Sequence, residues 1–204
     1  MATPPPYPSD PLLPEGVRLG RLVSHHDDRG RLVEIFRSTW ENEFAPVQWN
    51  LVRSQEATLR GVHVHVVHFD YLLCVDGRMD VALRDLRRDS PTAGRVAAVS
   101  LLGDEPSTLT IPPGVAHGFF FPVPSTHVYA VSEYWNLEDE LGCHWADPAL
   151  ELPWEIDPRH VSDRDSTAGS LAEMINELEA RRVSSKSSFA VDSKFAPVTS
   201  APTR

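Results

Sequence analysis

The chain has 204 residues, 41% of them hydrophobic, which suffices for one domain with a substantial core and leaves too little for a second catalytic domain. Its 19 Lys and Arg stand against 29 Asp and Glu, a formal net charge of -10, so no basic field is available to hold a nucleic acid backbone. Two cysteines, Cys74 and Cys143, exclude a disulfide scaffold, and the start Met1-Ala2-Thr3-Pro4-Pro5-Pro6 and the lack of a long apolar run predict a soluble cytoplasmic protein without membrane contact.

Residues 1–16 are rich in proline and read as an extended arm rather than part of the core. From residue 17 onward short apolar runs recur, at 31–36, 47–52, 61–67, 71–75, 79–83, 96–101, 107–111, 117–121 and 127–134. Between them stand turn signals such as Asp28-Arg29-Gly30, Asp76-Gly77, Asp89-Ser90-Pro91 and Pro112-Pro113-Gly114. Many short strands without intervening helices predict an all-β fold, a barrel or double-sheet jelly roll over 17–165. Leu171, Met174, Ile175 and Leu178 then follow helical spacing, which predicts one amphipathic helix over 168–182 within a C-terminal segment 166–183. The Ser, Ala, Thr, Pro and Lys of 184–204 predict a mobile tail.

Two stretches carry the chemistry. In Arg60-Gly61-Val62-His63-Val64-His65, His63 and His65 share one face of a strand, and Asp70 and Gly77 follow. Pro112-Pro113-Gly114-Val115-Ala116-His117 supplies a third imidazole. Two imidazoles and a carboxylate from adjacent strands, with His117, make a set that a divalent transition metal accepts. His65 and Asp70 equally suit a hydrogen-bonded pair without metal. His68 reads as a solvated turn residue, His25 and His26 as surface, and His127, His144 and His160 have no partner legible in sequence. Arg84, Arg87 and Arg88 read as a solvated face, Glu138-Asp139-Glu140 as an exposed loop, and Trp135, Trp145 and Trp154 as core or interface aromatics.

Taken in order, further landmarks join these stretches: Asp27-Asp28-Arg29-Gly30 with Glu34, Gln48-Trp49-Asn50, Asp85-Leu86-Arg87, Ser90-Pro91-Thr92, Tyr129, Tyr134, Trp145-Ala146-Asp147-Pro148 and Ser162-Asp163-Arg164-Asp165. The series resembles the dTDP-4-dehydrorhamnose 3,5-epimerase family, a branch of the cupin superfamily that acts on nucleotide-activated 4-keto-6-deoxysugars. The resemblance implies a cupin-type jelly-roll barrel with a short C-terminal helix, a nucleotide-sugar substrate and a homodimer, with the N-terminal arm crossing to its partner. It implies His63 as general base, Asp165 as the carboxylate that orients it and Tyr129 as the acid that returns a proton to the opposite face. Tyr134 would pack beside the sugar, and Arg29, Glu34, Gln48, Asn50 and Arg60 would bind substrate, the arginines suiting a diphosphate.

The chain departs from that family at two positions. Where the family has an enolate-stabilising lysine stands Asp70, and where it commonly has glutamine stands His65. Both changes match the general cupin metal pattern, which implies His63, His65, Asp70 and His117 as ligands of Zn, Mn, Fe or Ni, with no organic cofactor. A metal polarises the C4 carbonyl in place of the lysine. A ligated His63, however, loses the lone pair of a base, so Tyr129 or a metal-bound hydroxide would then move the proton. Two further readings stay open: a metal-dependent cupin with isomerase, lyase or dioxygenase chemistry, and a non-catalytic sugar-nucleotide-binding cupin.

Overall fold

Runs of alternating burial closed by Gly, Pro and Asp turns leave the backbone one economical choice, the antiparallel ladder. In the computed structural model, which describes residues 12–40, 44–136 and 139–192 (184–192 as helix backbone only), twelve strands form. They are β1 (Arg18–Arg21), β2 (Ser24–Asp27), β3 (Gly30–Val33), β4 (Gln48–Ser54), β5 (Thr58–His65), β6 (Asp70–Asp76), β7 (Arg78–Asp85), β8 (Val96–Leu102), β9 (Ser107–Ile111), β10 (Val115–Phe121), β11 (Ser125–Val131) and β12 (Glu140–Gly142). A short helix α1 (Asp163–Ser166) and a longer α2 (Leu171–Asp192) follow.

The strands make two five-stranded sheets, in the orders β1-β9-β6-β11-β4 and β12-β5-β10-β7-β8, and a separate β2-β3 hairpin. The main core joins the sheets: Leu72 and Cys74 of β6 and Leu109 and Ile111 of β9 pack with Met79, Val81, Leu83, Leu101 and Phe121 of the other sheet. A fully buried aliphatic or aromatic side chain contributes about 1.5–3 kcal/mol, so this double-sheet jelly roll is held chiefly by its interior. On the outer face of the second sheet, Val62 and Val64 meet Leu171, Met174 and Leu178 of α2. No helix among the described residues is long and apolar enough to cross a membrane.

Several boundaries differ from expectation. Leu13, inside the predicted 1–16 arm, is buried in the main core; residues 1–11 lie outside the described part. The helix predicted for 168–182 begins at Leu171 and continues to Asp192, into the predicted tail, of which 193–204 lie outside the described residues. Leu141 pairs with Val64 in β12, a strand too short for alternation to reveal. Of the predicted solvated Arg84, Arg87 and Arg88 face, two residues are structural: Arg84 donates to Leu150 O and Glu151, and Arg87 to Asp85 and Glu15 O; Arg88 is exposed and pairs with Glu179.

Asp85 matters most in that network because it ties down the connection between β7 and β8, whose Arg87 lies against the turn that begins β10. It is buried and accepts from both Arg87 Nε and an Arg87 terminal nitrogen at 2.8 Å, and from Ser90 and Thr92 hydroxyls at 2.6 Å. Arg87 in turn lies against Gly114 (φ +82°), where a Cβ would stand 2.6 Å from the Arg87 Cγ. The Gly114 N–H donates to His65 O at 2.9 Å, so the two histidine motifs are joined through their backbones.

Burial alone would raise the Asp85 pKa, but the hydrogen bonds from Arg87, Ser90 and Thr92 prevail and lower it to about 2. A folded pKa below the ordinary value gives stability that is present above about pH 4 and lost as pH falls toward 2. We expect Asp85→Asn to lose about 2 kcal/mol at neutral pH. In thermal melts, the gap between wild type and variant should close between pH 4 and pH 2; a gap that stays constant would assign the loss to shape rather than charge.

Candidate active site

One cavity of about 710 Å³ opens between the two sheets. β5 and β10 form one wall with Arg60, His63, His65, His117 and Phe119, and β6 and β11 form the other with Asp70, Leu72, His127, Tyr129 and Val131. Strict alternation would put Arg60 and His63 on opposite faces of β5. The ladder instead pairs His117 with His63 and Phe119 with Arg60, so Gly61 and Val62 together oppose Gly118 in a bulge. Arg60 and His63 thereby share the cavity face. Gly61 is required here: its φ is +108°, and a Cβ would lie 2.9 Å from the His117 carbonyl oxygen.

His63 is held at both nitrogens. Its Nε2 lies 2.7 Å from Asp165 Oδ1, and its Nδ1 lies 3.0 Å from Glu140 Oε1. Asp165 sits in α1, capped by Ser162, and its Oδ2 accepts from the Gly61 N–H at 3.2 Å. Glu140 also accepts from Trp135 Nε1 at 2.6 Å and Arg164 at 2.8 Å. Burial disfavours the imidazolium, but the hydrogen bonds to Asp165 and Glu140 outweigh it and raise the His63 pKa to about 9. Tyr129, on the opposite wall, has its pKa raised by burial and by the negative charges of Asp70 and Glu140.

The same cavity walls carry a second constellation. His65, Asp70 and His117 bring one ligand-type atom each within 4.8 Å of one another, and His65, His68 and Asp139 form an overlapping set. Asp70 stays ionised: burial opposes its charge, yet the imidazoles of His65, His117 and His68 hold its pKa at about 2. His117 is driven down to about 4 by burial, and so is neutral.

The family model described as dTDP-4-dehydrorhamnose 3,5-epimerase matches residues 13–173. The chain belongs to the dTDP-4-dehydrorhamnose 3,5-epimerase family. It is 32% identical over 169 residues to the dTDP-4-dehydrorhamnose 3,5-epimerase of Sinorhizobium fredii (strain NBRC 101917 / NGR234), which spans 78% of this chain and 86% of that protein. It is 32% identical over 152 residues to the spore coat polysaccharide biosynthesis protein SpsL of Bacillus subtilis (strain 168), covering 71% of this chain and 99% of that one. A crystal structure of dTDP-6-deoxy-D-glucose-3,5-epimerase from Legionella pneumophila Philadelphia 1 in complex with dTDP-4-keto-L-rhamnose superposes with a TM-score of 0.73 at 27% identity, over 79% of this chain and 91% of that one.

Against the sequence expectations, this family member keeps His63, Asp165, Tyr129 and Arg60 in one cavity. The predicted four-ligand metal set is not brought together. His63 stands outside it because both its nitrogens are taken by carboxylates, leaving His65, Asp70 and His117. Arg29 lies on the exposed β2-β3 hairpin, paired with Asp27, and Glu34 pairs with Arg37; neither lines the cavity. Tyr134 is 76% exposed. Gln48 and Asn50 pair across the ladder with Val131 and Tyr129 but lie outside the cavity wall, Gln48 Nε2 donating to Asn50 Oδ1 at 3.0 Å.

Four residues were misjudged or missed. His68 is buried and bonded to Asp139, not solvated. Asp139 also accepts from the Val66 and Val67 N–H groups, and Glu140 caps His63, so these two residues of the supposed exposed acidic loop belong to the site, while Glu138 lies outside the described residues. His127 is buried and stacks on Phe121 with ring centroids 5.1 Å apart; burial first, and the Arg60 charge second, lower its pKa to about 4. A carboxylate opposite a histidine on a three-residue strand leaves no periodic signal.

The two carboxylates on His63 make a measurable prediction. Glu140→Gln should move the His63 midpoint down from about 9 but keep it above its ordinary 6.5, since Asp165 remains. Imidazole resonances followed by NMR would show this, and an unmoved midpoint would mean that Asp165 alone sets the charge.

Proposed function

We propose that this protein epimerises a nucleoside-diphosphate 4-keto-6-deoxyhexose by removing a proton next to the ketone, at C3, C5 or both, and returning it to the other face. Family membership supports the reaction class. The observation that carries the mechanism is that His63 and Tyr129 line the same cavity from different sheets, one on β5 and the other on β11. Inversion at carbon needs a base and an acid on opposite sides of the reacting atom, and two facing walls supply that.

Asp165 occupies Nε2, so Nδ1 of His63 is the atom that meets the substrate proton. Glu140 must yield that position when sugar enters and Nδ1 must shed its proton, since the ring held by both carboxylates is an imidazolium at neutral pH and only the neutral ring is a base. Asp165 then balances the imidazolium that forms, while Tyr129 donates from across the cavity. Arg60 donates Nε–H to Ser54 at 3.2 Å and has no carboxylate partner among the described residues; with Arg53, Arg159 and Arg164 on the same cavity it suits a diphosphate. The free, buried thiols of Cys74 and Cys143 suit a reducing, cytoplasmic compartment.

We infer a homodimer as well. Arg29 and Glu34 are detached from the cavity, on and just after a hairpin that forms its own two-stranded sheet. The outer face of β4 leaves Trp49 41% and Leu51 64% exposed, an apolar strip suited to a second sheet.

In deuterated water, the wild type should incorporate deuterium at C3 or C5 of such a substrate. His63→Asn should lose exchange by about a hundredfold or more. Tyr129→Phe should retain exchange better than net inversion, because the base is intact; no exchange by the wild type would overturn the reading. Leu51→Glu should shift the protein from dimer to monomer in light scattering, and a wild-type monomer would remove the dimer.

A further inference from the structure

We propose that His65, Asp70 and His117 bind one divalent transition-metal ion, beside the base His63 rather than through it. Asp70 Oδ2 lies 3.2 Å from His65 Nε2 and 3.4 Å from His117 Nε2, yet it makes no hydrogen bond in this buried place. Ligands at about 2.0–2.1 Å around a tetrahedral ion stand about 3.3 Å apart, and these contacts have that spacing. His65 Nδ1 and His68 Nε2 are likewise buried and unpartnered. Of these, the Asp70 oxygen is the one the ion would meet, together with the Nε2 atoms of His65 and His117, and a buried carboxylate oxygen left without a partner is costly unless a cation joins it.

The tautomer of His117 points the same way. Its Nδ1 lies 3.1 Å from Val115 O, and a carbonyl only accepts, so Nδ1 carries the hydrogen. That leaves Nε2 as the ring atom that faces Asp70 Oδ2, 3.4 Å away. A backbone carbonyl behind a histidine is the usual way a metal ligand is oriented. His68 is clamped by Asp139, lies 3.7 Å from the His65 ring between centroids, and stands 3.8 Å from Asp70 Oδ1, which steadies both ligands. Two imidazoles and one carboxylate suit Zn²⁺, Mn²⁺, Fe²⁺ or Ni²⁺ better than the oxygen-seeking Mg²⁺ or Ca²⁺.

The consequence for chemistry rests on the epimerase reading. Asp70 alone repels an enolate, whereas an ion on this cavity wall supplies positive charge for its oxygen. Because the carboxylates and not the ion hold His63, the same site keeps a separate base once Glu140 yields Nδ1.

The test uses the full chain purified without chelator, analysed for metal, then stripped and titrated with Zn²⁺ and with Mn²⁺ by calorimetry. About one ion per chain is expected, with affinity reduced about tenfold or more in Asp70→Asn and in His117→Gln and retained in His63→Asn. Visible absorption of Co²⁺-loaded wild type, which needs no variant to fold, should report bound imidazole nitrogen. Absence of stoichiometric binding, binding untouched by both substitutions, or loss of binding in His63→Asn would each overturn the site. Deuterium exchange on the same preparations separates the two proposals: exchange without any metal binding leaves the epimerase and removes the site. Binding without exchange supports the site and removes the epimerase.

Discussion

The direct pairing of His63 with His117 is the constraint on which the site depends. It needs β5 to slip by one residue at Gly61–Val62, and that slip is open only to glycine at position 61, where a side chain would run into the His117 carbonyl. With it, Arg60 turns to the same side as His63, Val62 and Val64 keep facing α2, and the Gly61 N–H becomes the donor that fixes Asp165. Without it, the arginine and the base would part company across the sheet. One irregularity in a ladder thus aligns Arg60, His63 and Asp165 together.

Charge is distributed around the cavity in two separate assemblies. His63 sits between Asp165 and Glu140, which stabilise its protonated form, and Arg164 partly offsets Glu140. Asp70 sits among imidazoles that keep it ionised. The assemblies meet along β5, where His63 and His65 are two residues apart, but they share no hydrogen-bonding atom. A base and a cluster of potential ligands can therefore coexist on one strand, which the spacing of the histidines alone argues against.

Most strands were legible because alternation and turn chemistry are local. So was the gathering of His63, His117, Asp165 and Tyr129 around one cavity, since ordered landmarks and the family resemblance marked them. Three parts were not. The β5 bulge violates the period of two that sequence reading assumes. Glu140 and Asp139 act through long-range partners, His63 and His68, and their own neighbourhood looks like a solvated acidic turn. Arg29, Glu34 and Tyr134 were assigned by the family resemblance alone, whereas in a single chain they stand apart from the cavity.

β12 does two jobs at once. The strand that bears the base would be the outermost of its sheet if Glu140–Gly142 did not pair with it, and an uncovered edge invites another chain to add a strand. Three residues therefore cover the His63–His65 stretch of that edge while delivering the carboxylate that sits on His63. A change there chosen to adjust reactivity will also act on solubility, and loss of soluble protein in such variants is a property of the edge rather than of the chemistry.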